Sequence, residues 1–264
     1  MDKPKILIFD IETAPVLAHV WSLWKQNVGI NQISVDTYIL CWAAKWLGDD
    51  DILSDALPNH KAHYRRYPDC DKKVCETLWE LLDEADIIVA HNGDRFDIPR
   101  ANARFIQHGM NPPSPAKQVD TFKIAKSVFN FTSNKLDWIG EHLGVGRKVH
   151  HDGFDLWRRC LDGDPQSWDD MVTYCRGDVA LLERVYEKLR PWSKSHPNVN
   201  VYSGKMDGCP ACGGDNYRAD GHRYTQAGKF QRYKCLDCGK WFSGAENKMD
   251  KDDRAAVKRR GHDA

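Results

Sequence analysis

The chain has 264 residues, 41% of them hydrophobic and 29% charged, with a formal net charge of zero. That composition fits a globular protein of one sizeable domain plus a small one. It excludes a helical membrane span, because no apolar run approaches the roughly 18 residues one needs. The opening MDKPKILIFD carries no secretory pattern, so a cytoplasmic protein with no membrane partner is expected. Charge is unevenly spread: residues 1–200 hold 25 Lys and Arg against 29 Asp and Glu, a net of −4. Residues 201–245 hold 7 against 4, a net of +3. An acidic body does not attract nucleic acid by itself, unless bound divalent cations titrate the excess acid.

Residues 4–10 form an apolar run that predicts a buried strand, ending at Asp10 with Glu12 two positions on. In HVWSLWKQN (19–27), Trp21 and Trp24 stand at helical spacing, which favours core packing; stacking on an unpaired base is the alternative. Residues 37–48 and 51–57 are rich in strand formers. Apolar spacing predicts a helix over 72–86, then a short strand over 87–91 that stops at an Asn-Gly turn signal. A helix over 97–109 tolerates Pro99 in its first turn and closes at Gly109. Further helices are predicted over 135–144 and 167–192, the last ended by Pro191. Strands first, then strands interleaved with helices, predict an α/β fold with a mixed sheet flanked by helices. The expected organisation is a domain over 1–192, a linker over 193–204, a cysteine-bearing unit over 205–245 and a charged, disordered tail over 246–264.

Acids recur where elements begin and end. Asp10 and Glu12 follow the first strand, Asp97 opens a helix after a later strand, and Tyr174 and Asp178 lie four apart on one helix face. Carboxylates are costly to bury unless something neutralises them. Four converging from separate elements can hold two divalent cations, an arrangement suited to phosphoryl chemistry.

FDIET, HNGDRFDIP and YCRGDVALL resemble the three motifs of the DEDD superfamily of 3′→5′ exonucleases, which has an RNase H-like fold. Tyr174 matches the DEDDy branch; the other branch has a histidine five before the last aspartate, where this chain has Thr173. The second and third motifs are closest to the proofreading domains of family B DNA polymerases, but no polymerase domain follows, so a free-standing exonuclease of a bacterial or phage-infected cell is expected. The resemblance covers roughly residues 4–190. It implies that Asp10, Glu12 and Asp178 hold one Mg²⁺ or Mn²⁺ ion, that Asp10 and Asp97 hold a second, and that Tyr174 orients the attacking water. It implies release of nucleoside 5′-monophosphates from nucleic acid, with single-stranded DNA bearing a free 3′ end as the expected substrate and a replication or repair protein as a candidate partner. Thr13, Asn92 and Phe96 are candidate contacts to the terminal nucleotide. His150 and His151 invite assignment as an acid/base pair, but the DEDDy pattern does not require them. An exoribonuclease or structure-specific nuclease on the same fold is the first alternative. An adaptor with an inert nuclease fold is the second, and the intact acids argue against it.

Four of the nine cysteines form two C-x-x-C-G turns, CPACGG and CLDCGK. Cys209, Cys212, Cys235 and Cys238 therefore predict one structural Zn²⁺. The unit resembles zinc ribbons of insertion-sequence transposases, which implies DNA contact. Lys229, Arg232, Lys234 and Lys240, interleaved with Phe230, Tyr233, Trp241 and Phe242, are its candidate nucleic-acid contacts. A ribbon that docks on protein instead is the alternative. Cys41, Cys70, Cys75, Cys160 and Cys175 read as small packing residues.

Overall fold

The computed structural model describes residues 3–260, and these divide into two compact units, with the break between Lys188 and Leu189. The first unit contains β1 (Ile6–Thr13), β2 (Leu17–Ala18), β3 (Ile33–Val35), β4 (Ile39–Trp46), β5 (Leu53–Ala56), α1 (Lys61–Arg66), α2 (Lys72–Glu84), β6 (Ile87–Ala90), α3 (Asp97–Gln107) and β7 (Lys117–Asp120). Helices α4 (Thr121–Val128), α5 (Leu136–His142), α6 (Phe154–Leu161) and α7 (Pro165–Leu189) follow.

Its main sheet has the order β5-β4-β1-β6-β7. β4 and β5 run antiparallel to their neighbours, whereas β1, β6 and β7 run parallel. This is the mixed sheet flanked by helices that the sequence predicts. β1 lies between β4 and β6, and Ile6–Phe9 are buried on both faces. That double burial is why the strand reads as a continuous apolar run rather than an alternating one. Helix α2 buries Val74, Cys75, Leu78 and Leu82, the one-sided stripe its spacing predicts. Buried Asp71 ties α3 to β4: it accepts from Arg104 Nε at 2.8 Å and Nη2 at 2.6 Å, from Ile39 N at 2.7 Å, and pairs with His108 Nε2 at 2.6 Å. Its full set of partners marks it as a structural acid.

The second unit contains α8 (Asn200–Ser203), an antiparallel sheet β10-β9-β8, and α9 (Lys251–Arg260). Its strands are β8 (Tyr217–Thr225), β9 (Gly228–Cys235) and β10 (Trp241–Asn247). Two sequence expectations change here. The stretch 193–204 is built into this unit. Val199 N donates to Pro210 O at 2.9 Å, and buried Asn200 Nδ2 donates to Gly208 O at 2.7 Å. One apolar side chain and one amide, too few to show a periodicity, fasten it. The charged tail forms the end of β10 and then α9, whose first turn carries Asp252 and Asp253, where acids favour the positive end of the helix dipole. Residues 261–264 of the expected tail lie outside the described residues.

Candidate active site

Asp10 and Glu12 project from one face of β1, because residues two apart on a strand share a face; Ile11 between them is 2% exposed. Asp178 comes from α7, one turn beyond Tyr174. Asp10, Glu12 and Asp178 each place a carboxylate oxygen within 4.8 Å of the others. Asp97, 2% exposed at the start of α3, accepts a hydrogen bond from Ile11 N at 3.2 Å, which ties it to β1 between the two acids of that strand. Cys175 Sγ rests 3.6 Å from the Asp10 carbonyl and seats α7 against β1.

The turn after β6 delivers Asp97. Asn92 takes a left-handed φ of 66°, and its N–H donates to Asp120 Oδ1 at 2.8 Å. A Cβ on Gly93 would lie 2.4 Å from Ala90 Cβ, so only glycine fits there. Asn92 thus contributes to the site through its backbone, and Phe96 lies beneath the Arg100 guanidinium, 4.5 Å from ring centre to carbon.

Lys148 enters this cluster from the loop before α6. Its ammonium donates to Tyr174 Oη at 2.9 Å and to Asp178 Oδ2 at 2.5 Å. Lys148 N donates to Asp137 Oδ1 at 2.8 Å, and Val149 packs where Gly177 lacks a side chain; a Cβ there would lie 2.6 Å from Val149 Cγ2. No sequence signal marks Lys148, a single lysine in a polar loop. His151 packs edge-on against Tyr174 with ring centres 4.5 Å apart, while His150 is exposed, so the two are not a pair.

Electrostatics follow from burial and like charge. Burial, then repulsion by Asp97, Glu12 and Asp178, pushes Asp10 well above the carboxylate range. Burial and repulsion by Asp178 raise Glu12 to about 8. Burial raises Asp97 to about 7 against the opposing Ile11 hydrogen bond. Burial also raises Asp178, opposed by Lys148. Burial disfavours the Lys148 charge, but Asp178 outweighs it and holds the ammonium protonated. Asp178 Oδ1 is buried with no hydrogen-bond partner among the described residues. A site of four acids facing one ammonium, with an orphaned carboxylate oxygen, matches the donor set hard divalent cations require. Beside it, a cavity of about 420 Å³ is lined by Thr13, Thr37, Arg100, His151, Phe154 and Trp157 among others.

In the second unit, Cys209, Cys212, Cys235 and Cys238 converge. The sulfur–sulfur distances for Cys209–Cys238 and Cys212–Cys235 are both 3.7 Å. Tetrahedral zinc with bonds near 2.3 Å requires about 3.8 Å between sulfurs, so this cluster is consistent with a structural zinc site. Strand register places Arg218, Lys234 and Trp241 side by side, and Arg232 lies on the same face two residues from Lys234. Arg232 and Lys234 lie 4.6 and 5.6 Å from the Trp241 ring centre. Lys229 falls on the opposite face, and half-buried Lys240 donates to the Ser193 carbonyl, so these two do not join that cationic face. Arg218 does join it, a residue missed because only strand pairing reveals it.

Residues 51–190 match the RNase_H superfamily. The match holds Asp97, Tyr174 and Asp178 but begins after β1, so Asp10 and Glu12 lie outside it. No curated protein matches the sequence. Among solved structures, the family B DNA polymerase from the hyperthermophilic archaeon Pyrobaculum calidifontis is similar, with a TM-score of 0.54 and 19% identity. The likeness covers 72% of this chain and 25% of that one, so this chain spans about a quarter of the polymerase's length, and at this identity the likeness concerns the fold. With the superfamily match spanning more than half of the sequence and the mixed sheet carrying acids at its central strand, the chain belongs to the RNase H superfamily.

Proposed function

We propose that this protein is a metal-dependent 3′→5′ exonuclease that releases nucleoside 5′-monophosphates, with single-stranded DNA 3′ ends as its substrate. The observation that supports this best is the convergence of Asp10, Glu12 and Asp178, with Asp97 bonded to the same strand, around a single ammonium. Asp10, Glu12 and Asp178 would hold one Mg²⁺ or Mn²⁺ ion, and Asp10 and Asp97 a second. Bound there, the ions would supply the Lewis acidity that generates hydroxide from water and steadies the leaving oxygen. Tyr174, whose burial raises its pKa, keeps a neutral hydroxyl at physiological pH and orients the attacking water, while Lys148 fixes that hydroxyl. Thr13 and the cavity beside it receive the terminal nucleotide, with Asn92 and Phe96 shaping the turn that holds Asp97. One Zn²⁺ on the four cysteines holds the ribbon, whose Arg218, Arg232, Lys234 and Trp241 face contacts nucleic acid. The test is end-labelled single-stranded DNA and RNA incubated with Mg²⁺, Mn²⁺ or EDTA. Stepwise loss from the 3′ end with either ion and none in EDTA is expected. Internal cleavage or activity in EDTA would overturn the reading.

A further inference from the structure

Trp21 and Trp24 do not pack into a core: they are 97% and 82% exposed. They sit on an arm, residues 19–32, between β2 and β3, which pair antiparallel. The base of the arm is the mouth of the candidate site. Thr13 ends the strand bearing Asp10 and Glu12, and Thr13, Pro15, Val16 and Thr37 all line the cavity beside them. Thr37 Oγ1 donates to Ala14 O at 2.8 Å, and Ala14 N donates to Tyr38 O at 2.8 Å, so the two ends of the arm are fastened together there. The chain bends sharply at the tip. Lys25 adopts a left-handed φ of 55°, and Gln26 Nε2 donates to Trp24 O at 2.7 Å.

Charge argues for the occupant. In a unit with an acidic excess, no Asp or Glu occurs between Glu12 and Asp36, whereas Lys25 and His19 do. An acid-free arm with two exposed indoles beside a cationic residue suits a polyanion with flat, unpaired rings. We propose that Trp21 and Trp24 stack on unpaired bases of the substrate strand several nucleotides from its 3′ end, making the arm a binding element that selects single strands longer than the cavity holds. This rests on the exonuclease reading above.

The experiment compares wild type with the Trp21→Ala/Trp24→Ala double variant on (dT)₃ and (dT)₁₂. It measures KM and kcat with Mg²⁺, and binding by anisotropy with Ca²⁺ replacing Mg²⁺. Sedimentation and melting are measured for both proteins. The expected result is a rise of about tenfold or more in KM and Kd for the 12-mer in the double variant. The trimer and the melting temperature should not change, and Trp21→Phe/Trp24→Phe should recover most of the loss. Equal behaviour of both proteins on the 12-mer overturns the inference and leaves the exonuclease intact. A matching loss on the trimer makes the arm a support of the cavity and also overturns it. So does a wild-type dimer that the double variant dissociates, because the arm then faces a second copy. A protein that binds the 12-mer through the tryptophans but cuts nothing keeps the arm and overturns the nuclease. Absence of any binding overturns both.

Discussion

At the acid cluster, burial and like charge act together on Glu12 and Asp97, and this fixes how the metal-free protein responds to pH. An acid whose folded pKa is raised holds its proton more tightly when folded, so stability falls as pH rises from the unfolded value through the folded one. For Asp97 that window runs from 3.8 to about 7, and for Glu12 from 4.5 to about 8. Half-buried His91, lowered from 6.5 to about 4 by desolvation, works in the opposite direction below pH 6.5. Between pH 6.5 and 8 the acids act without it. With zinc retained and Mg²⁺ and Mn²⁺ removed, the melting temperature of the first unit should therefore fall across that interval. Asp97→Asn should flatten the fall and melt higher than wild type at pH 8, and Mn²⁺ should stabilise wild type more than the variant. An Asp97→Asn protein that melts lower at pH 8 would make this acid a helix cap. Asp10, Glu12, Asp97, Tyr174 and Asp178 stood out as candidates through the resemblance to the three exonuclease motifs, and the pairs Asp10/Glu12 and Tyr174/Asp178 also through local spacings of two on a strand and four on a helix. Lys148 did not, because its contact with Asp178 spans 30 positions through a loop without periodicity.

Helix α7 and the loop that carries Lys148 meet at Gly177, so the position of that ammonium depends on a missing side chain. Gly177→Ala gains about 1 kcal/mol of helix propensity. It also drives a Cβ to 2.6 Å from Val149 Cγ2, a contact that must push the loop outward. Overpacking of this kind costs about 1–3 kcal/mol. Gly177→Ala should therefore cost no more than about 2 kcal/mol at pH 6.5 and should steepen the metal-free loss toward pH 8, as Lys148→Met should, because either change withdraws the cation from Asp178. Melting curves at the two pH values check it; a slope equal to wild type in both variants would remove Lys148 from the electrostatics of the site. β1 was readable as a continuous apolar run, and α2, α3 and α7 from their apolar spacing. β7 was not, with four residues and no alternation, nor was α6, short and charged on its outer face. Trp21 and Trp24 carry a helical spacing with no helix, since β2 and β3 fix the ends of the arm and its indoles find no partner surface.

At the scale of the whole molecule, the break after Lys188 predicts two separable unfolding events. Cys209→Ser should release the zinc and unfold the second unit, since structural zinc sites contribute folding energy outright. The melting of the first unit should stay where it was, as calorimetry would show; a single shifted transition would mean that the two fold as one. Because 193–204 is fastened to the cysteine unit, a truncation should end at residue 192, and one ending at 204 leaves Val199 and Asn200 without Pro210 and Gly208. Arg218→Ala/Arg232→Ala/Lys234→Ala should weaken binding to long strands and make it less salt-dependent by about three phosphate contacts, whereas Lys240→Ala should leave the salt slope unchanged. The mixed sheet flanked by helices was legible in the order of strands and helices, and its RNase H-like character in the resemblance of three motifs, but the cationic face was not, because it exists only once β8, β9 and β10 are in register.

The central claim is that the acids gathered on β1, α3 and α7 carry out the cleavage. Its most direct test is single-turnover shortening of a 5′-labelled single strand with Mn²⁺, by wild type and by Asp10→Ala, Asp178→Ala and Tyr174→Phe, each shown to be folded by its melting curve. The two aspartate variants should lose about 10³-fold or more in rate, roughly 4 kcal/mol of barrier, and Tyr174→Phe about 10- to 100-fold, because it removes an orienting hydroxyl and no metal ligand. Wild-type shortening by Asp10→Ala, with contaminating nuclease excluded, would contradict the assignment.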